Sequence, residues 1–343
     1  MLPWVGGTAV GVLLAALFAW ALWPSARPPH ARPPAPVVSA PTHRLVVAPH
    51  PALPAAAPPA AAVPPSATAG APSRPATTQV PAFTLRTATR RQILAEAPTT
   101  LAVFRYAFNP NIVVLDFPTL QEQGLMLDRV AALVEKAGLP RDRVVSWAEL
   151  RKLIRAHGDT IGTYYYGHDY SAAALARFFV LAARDHRQLN PQEQRLHALL
   201  VQLGWLRPGV VAGLITLPRV GADPYVTTTA CDVILTHELS HGEFFSNPAY
   251  AAYVWRFWHD GLTDAERKAI RRFLGSEEYD ISQQEVVVNE MQAYLMFTRN
   301  PQFFRAADIG ITQAQRVQLE QAFLAGMPHG WLRDRLAALN REH

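Results

Sequence analysis

Residues 236–243 read THELSHGE, and within them His237, Glu238 and His241 form the pattern H-E-x-x-H. On a helix each residue advances about 100°, so side chains four apart lie within about 40° of each other and two imidazoles reach one tetrahedral ion. Glu238 stands one step round, where its carboxylate can take a proton from an activated water and pass it to a leaving group. The chemistry this spacing serves is metal-assisted hydrolysis, with zinc as the expected ion. The chain has 12 histidines, and a bare three-letter match arises by chance in roughly one or two such chains per hundred. The surroundings add weight. Residues 229–235 (TACDVIL) offer Thr229 as an N-cap with Asp232 three residues on, followed by an apolar stretch that buries the helix. Buried imidazoles and a buried carboxylate need partners, and a metal supplies them. The competing reading is a pair of surface histidines on an ordinary helix.

Two histidines leave zinc short of a protein ligand, and Glu290 is the best downstream candidate. It lies in residues 285–297 (EVVVNEMQAYLMF), whose Glu290 side also presents Val286, Val287, Ala293, Tyr294 and Phe297 on a helical wheel. A carboxylate centred on an apolar face is not there for solvation; its alternative role is a structural salt bridge to an Arg. Glu285 lies about 140° away on the same wheel and is the weaker choice. Glu243, Glu277, Glu278 and His259 are held in reserve.

With His237, Glu238, His241, Asn289 and Glu290 in this order, the sequence resembles the gluzincin metallopeptidases, in which H-E-x-x-H is followed on a second helix by a Glu ligand, often preceded by Asn. The resemblance covers two short motifs, and no particular family within the group is identified. It implies a two-lobed zincin fold with a mainly helical lower part, a zinc ion held by His237, His241 and Glu290, and hydrolysis of peptide bonds by activated water. It also implies an extended peptide bound along a sheet edge beside the active-site helix, with residues 210–217 or 225–228 as the edge. One position departs from the pattern: several such families carry an acidic residue four after the Glu ligand, where it orients a ligand His, and this chain has Tyr294. Three roles stay open for Tyr294: a bond to a ligand imidazole, a catalytic contact to the oxyanion formed during attack, or packing in the core. The tyrosine-rich run at residues 164–170 (YYYGHDY) reads as packing before a helix start at Ser171, and His168 is not assigned a catalytic role.

The elements that must position these groups are marked by Ser or Thr followed three residues later by Glu or Gln, a pairing that satisfies free backbone N–H groups at a helix start. Such pairs occur at Thr119 with Glu122, Ser146 with Glu149, Thr263 with Glu266 and Thr312 with Gln315. Asn190 before Pro191 marks another start, with Gly204 as its stop. Strand-like runs are few: residues 111–117 (NIVVLDF) and 210–217 (VVAGLITL). The expected fold is α+β, mainly helical with a small sheet, as a zincin-like catalytic domain over residues 82–343.

Ahead of that domain the composition changes sharply. Residues 1–81 contain no Asp or Glu and four Arg, leaving 28 basic and 27 acidic side chains to the remaining 262 residues. The overall net charge of +5 thus belongs largely to the N-terminal part, and no nucleic-acid-binding face is expected on the domain. Residues 2–23 are an uncharged, mostly apolar run, long enough to cross about 30 Å of hydrocarbon as a helix. They read as a transmembrane anchor, the alternative being a cleaved signal peptide. Residues 24–81 hold 17 of the 29 prolines and read as a disordered Pro/Ala-rich linker. Its 58 residues extend to about 180 Å as polyproline II, whether or not that reach serves as a spacer. The catalytic domain is expected outside the cytoplasm, although Arg27 and Arg32 follow the apolar run and argue for the opposite orientation. The single cysteine, Cys231, rules out an intrachain disulfide and a structural zinc site built on two or more thiolates.

The expected function is a membrane-tethered zinc metallopeptidase acting on a peptide or protein substrate. Two other readings are carried: a zinc amide hydrolase acting on cell-wall material, and a catalytically silent zincin-fold domain that binds a partner.

Overall fold

The computed structural model describes residues 82–341; the expectations for residues 1–81 lie outside them. Five strands form one mixed sheet in the order β1-β2-β3-β5-β4: β1 is Leu85–Ala88, β2 Ala102–Tyr106, β3 Asn109–Phe117, β4 Asp169–Ser171 and β5 Gly213–Pro218. The β1–β2 and β3–β5 pairs are parallel, and the β2–β3 and β4–β5 pairs are antiparallel. The helices are α1 Arg90–Leu94, α2 Leu120–Val134, α3 Trp147–Ala156, α4 Ala172–Arg184, α5 Pro191–Leu203, α6 Thr228–Ser246, α7 Pro248–Arg256, α8 Asp264–Ser276, α9 Gln284–Gln292, α10 Gln313–Gly326 and α11 Trp331–Leu339. The domain is α+β, mainly helical with a small sheet, as its sequence pattern leads one to expect.

The central strand β3 is buried on both faces, which is why its sequence reads as a continuous apolar run. Val113, Leu115 and Phe117 point into a core shared with α2, α4 and α5, while Ile112 and Val114 point into a second core shared with α1 and α6. The sheet is therefore the middle layer, and α6 lies across β5, β4 and β3 on one face. The approach is close. A Cβ at Gly242 of α6 would sit 2.8 Å from Ile112 Cγ2, inside van der Waals contact, so a larger residue would push α6 off the sheet. On its other side α6 packs against α7, α9 and a π-helical turn, Ala293–Phe297, that continues α9.

Helix starts follow the capping signatures. Ser146, Thr263 and Thr312 form reciprocal capping boxes, as does Asn190 with Glu193. Gly204 ends α5 in the left-handed region at φ 70°. Thr119 caps α2 without the return bond from Glu122. Three expectations need correction. The cap of α6 is Thr227, whose hydroxyl accepts from the Ala230 N–H, and not Thr229. Asp232, free of capping duty, pairs instead with Arg90 of α1. Residues 210–212 precede β5, which is an interior strand between β3 and β4 with no free edge for a peptide. Residues 225–227 form the loop into α6, and Thr228 begins that helix. The open edge beside α6 belongs to β4, a three-residue strand whose neighbours 164–168 carry the tyrosine run.

Candidate metal centre

His237 and His241 stand one turn apart in the middle of α6, and α9 brings Glu290 to meet them. The two Nε2 atoms are 2.9 Å apart, and Glu290 Oε2 lies 3.7 Å from each. All three side chains are buried, at 2%, 0% and 2% exposure. The set also emerges from geometry alone as a group whose ligand atoms lie within 4.8 Å of one another.

The hydrogen bonds behind the histidines fix which nitrogens face the centre. Thr298 donates its hydroxyl proton to the Ala293 carbonyl at 2.9 Å, so its oxygen accepts from His237 Nδ1–H at 2.8 Å. That assignment leaves His237 Nε2 as a bare lone pair aimed at the centre. His241 Nδ1 faces Asp169 Oδ2 at 3.6 Å, and Asn289 donates to the same oxygen at 3.3 Å. A chain of bonds ties the two helices together: Tyr250 donates to Gln292 Oε1, and Gln292 donates to Ser240 Oγ. Ser240 in turn donates to the His237 carbonyl. The register of α9 against α6, and hence the position of Glu290, is held by this network.

These donors fit a tetrahedral cation. Ligands about 2.0–2.1 Å from a zinc ion stand roughly 3.3 Å from one another, a spacing bracketed by the observed 2.9 and 3.7 Å. Two imidazole nitrogens and a carboxylate oxygen face each other, and Glu290 Oε2 has no hydrogen-bond donor. Without positive charge between them such an arrangement is repulsive, and burial accordingly drives both imidazoles toward the neutral form, His241 down to about 4.

Glu238 is fully buried, and neither carboxylate oxygen has a hydrogen-bond partner. Burial, then the charges of Glu290 and Glu135, push its carboxyl well above the ordinary carboxylate range. The backbone of residue 167 roofs this carboxyl so closely that a Cβ there would overlap Glu238 Oε1. Gly167 is thus a glycine because of what lies beneath it. On a zinc-hydrolase reading of this centre, a Gly167→Ala chain is expected to bind zinc as the parent does while hydrolysing about 100-fold more slowly, the loss that a displacement of about 1 Å can cause. Zinc content and hydrolysis rate measured side by side check this, and an unchanged rate would contradict it.

Tyr294 packs its ring edge-on against His237 at 4.9 Å and against Phe273 and Phe304. Its hydroxyl has no hydrogen bond to either imidazole; it lies near Tyr279, whose hydroxyl also faces Glu290. The groups held in reserve fall outside the centre. Glu243 accepts from Asn109, Asn247 and Trp331, and Glu278 pairs with Lys136 and His157. His259 stacks on Trp255, and neither it nor Glu277 belongs to the converging group. The tyrosine run is core, with Tyr164, Tyr165, Tyr166 and Tyr170 all at most 1% exposed, and His168 is bonded to Tyr170. Sequence reasoning missed Thr298, Asp169 and Gly167, which hold the two imidazoles and the carboxyl in place.

A cavity of about 440 Å³ reaches this centre from the Glu290 side, lined among others by Glu135, Asp169, Asn289 and Glu290. Glu135, at the end of α2, is buried there and its carboxyl is pushed up from 4.5 to about 8, chiefly by desolvation. Its proton is held more tightly in the folded chain than in the unfolded one, so stability falls as pH rises through that window. Asp116 in β3, also pushed up to about 8 by burial, adds in the same direction. His241 acts with the opposite slope, but only below its ordinary 6.5. The chelator-treated chain is therefore expected to lose stability, on the order of 1 kcal/mol, between pH 6.5 and 8. Urea unfolding at the two pH values measures it, and higher stability at pH 8 would contradict it.

No family model, curated protein or solved structure matches this chain. The arrangement is therefore argued from its own residues: an α+β domain, mainly helical, with a buried group of two histidines and a glutamate on crossing helices.

Proposed function

We propose that this chain is a zinc-dependent metallopeptidase of the gluzincin kind, built on a zincin-like fold, with His237, His241 and Glu290 as ligands and Glu238 as general base. The observation that carries the proposal is the convergence of three potential ligand atoms from α6 and α9 on one point, beside a buried carboxyl without a partner. A zinc ion bound there would acidify a water and polarise a scissile carbonyl.

The remaining chemistry belongs to the chain. Glu238 takes the proton that the attacking water gives up and returns it to the departing amine, so the carboxyl ends each cycle as it began. Thr298 holds His237 with Nε2 inward, while Asp169, itself bonded by Asn289, stands behind His241 Nδ1 at 3.6 Å without a hydrogen bond. The cavity beside β4 borders the centre at Asp169, Asn289 and Glu290 and is the proposed side of approach for a substrate. Tyr294 is proposed as a group that fixes the His237 ring by packing.

Residues 1–23 complete the proposal as a membrane anchor and residues 24–81 as a linker, with the domain outside the cytoplasm. Among the described residues no helix is long and apolar enough to cross a membrane. The test is turnover of a broad peptide library by the full chain, with and without chelator. Cleavage that chelation stops and zinc restores is expected. Turnover of cell-wall fragments without any of peptides would move the substrate assignment, and a zinc-loaded chain inert on both would favour a binding domain.

A further inference from the structure

We propose that Glu135, Asp169 and Glu290 bind a second divalent cation beside the first, with Glu290 as the carboxylate common to both. The proposal rests on the reading of His237, His241 and Glu290 as the first site.

The three carboxyls come from separate elements, the end of α2, the start of β4 and the middle of α9, yet they present ligand atoms within 4.8 Å of one another. None is more than 4% exposed. Asp169 Oδ1 has no hydrogen-bond partner, Glu290 Oε2 has none besides its place in the first site, and Glu135 is met by a single long bond of 3.4 Å from Tyr170. Ionised carboxylates at such separations repel by about 3–4 kcal/mol per pair even at an effective dielectric of about 20. The nearby basic groups are engaged elsewhere. Arg141 pairs with Asp280 and donates to the carbonyls of Ala132 and Lys136, and Lys136 pairs with Glu278. A cation at the centre of the trio removes the repulsion and satisfies the unpartnered oxygens together.

The donor set selects the kind of ion. All three ligands are carboxylate oxygens, which suit hard cations such as manganese, magnesium or calcium better than the imidazole-rich first site does. Such ions require further oxygen ligands. The three carboxyls line the 440 Å³ cavity, which gives room for water to complete the shell and a route for a hydrated ion to arrive. A carboxylate shared by two cations is the usual device of paired metal sites about 3.5–4 Å apart. The competing account of the same geometry is a trio of carboxyls that share protons and bind nothing.

The experiment titrates the zinc-loaded full chain with manganese and follows free manganese by electron paramagnetic resonance. About one manganese per chain is expected to disappear from the free signal, alongside about one zinc per chain. In the Glu135→Gln chain zinc content should be unchanged and manganese affinity should fall at least about 10-fold. Asp169→Asn should weaken manganese as well. No uptake by the parent overturns the proposal, as does uptake of equal affinity in the parent and Glu135→Gln. The parent's own stoichiometry decides the matter even if a variant fails to fold. A parent that holds no zinc at all overturns the first-site reading and the shared-carboxylate arrangement with it, whereas zinc without manganese overturns only the second site.

Discussion

Replacing Glu238 with Gln is expected to leave about one zinc per chain bound and to lower hydrolysis by about 10²–10⁴-fold. The substitution keeps the volume beneath Gly167 and removes the group that accepts the proton. Glu238 is fully buried and its oxygens form no hydrogen bond, so no structural contact is lost that could spread the effect to the ligands. The discriminating comparison is zinc content against rate on the same preparation. A Gln chain that hydrolyses as fast as the parent would remove the general base from the account while leaving the metal centre standing.

Replacing His241 with Ala is expected to lose both zinc and hydrolysis. His241 supplies one of the three converging donor atoms and is fully buried. Its truncation also leaves a cavity where α6 crosses the sheet, and large-to-small changes at such positions cost about 2–5 kcal/mol. Circular dichroism at a temperature well below unfolding separates the two losses: the folded but zinc-free chain is the expected species. The Thr298→Val chain provides a graded comparison. It removes the acceptor behind His237 Nδ1 together with the bond from that hydroxyl to the Ala293 carbonyl, and loss of a partner behind a ligand imidazole weakens metal binding by about 10–100-fold. Zinc affinity should therefore fall in the order parent, Thr298→Val, His241→Ala. If His241→Ala bound zinc as tightly as the parent, the ligand assignment would be wrong.

The parts of this centre that sequence made legible are those set by local rules. A four-residue spacing on one helix face is visible in His237 and His241. The apolar face around Glu290 is visible because α9 buries it. Capping pairs at Ser146, Asn190, Thr263 and Thr312 mark helix starts through interactions spanning three residues. The missed parts depend on long-range pairing. Asp169 reaches His241 because β4 adds to the edge of β5, and nothing in the neighbourhood of Asp169 announces that order. Glu135 joins it from the end of α2, where it reads as an ordinary C-terminal residue. Thr298 lies beyond a π turn, so a wheel turned at 100° per residue misplaces it. The cap of α6 is hidden in a run of three threonines, because Asp232 stands three residues after Thr229 as a capping partner would, yet pairs with Arg90 of α1. Gly167 carries its meaning only through the carboxyl folded against it.

The sheet shows the same division. β3 was legible because both of its faces are buried, giving an unbroken apolar run. β1, β2 and β4 are short and mixed in character; β2 and β4 are strands because β3 and β5 offer them hydrogen-bonding edges, and β1 because β2 does.

The central claim is that one divalent cation sits between α6 and α9. Crystals of the zinc-loaded chain, measured on either side of the zinc absorption edge, test it directly. The account expects an anomalous peak about 2.0–2.2 Å from His237 Nε2, His241 Nε2 and a Glu290 oxygen. A folded chain whose anomalous peak lies elsewhere, or which shows none at that point with zinc in excess, would contradict it.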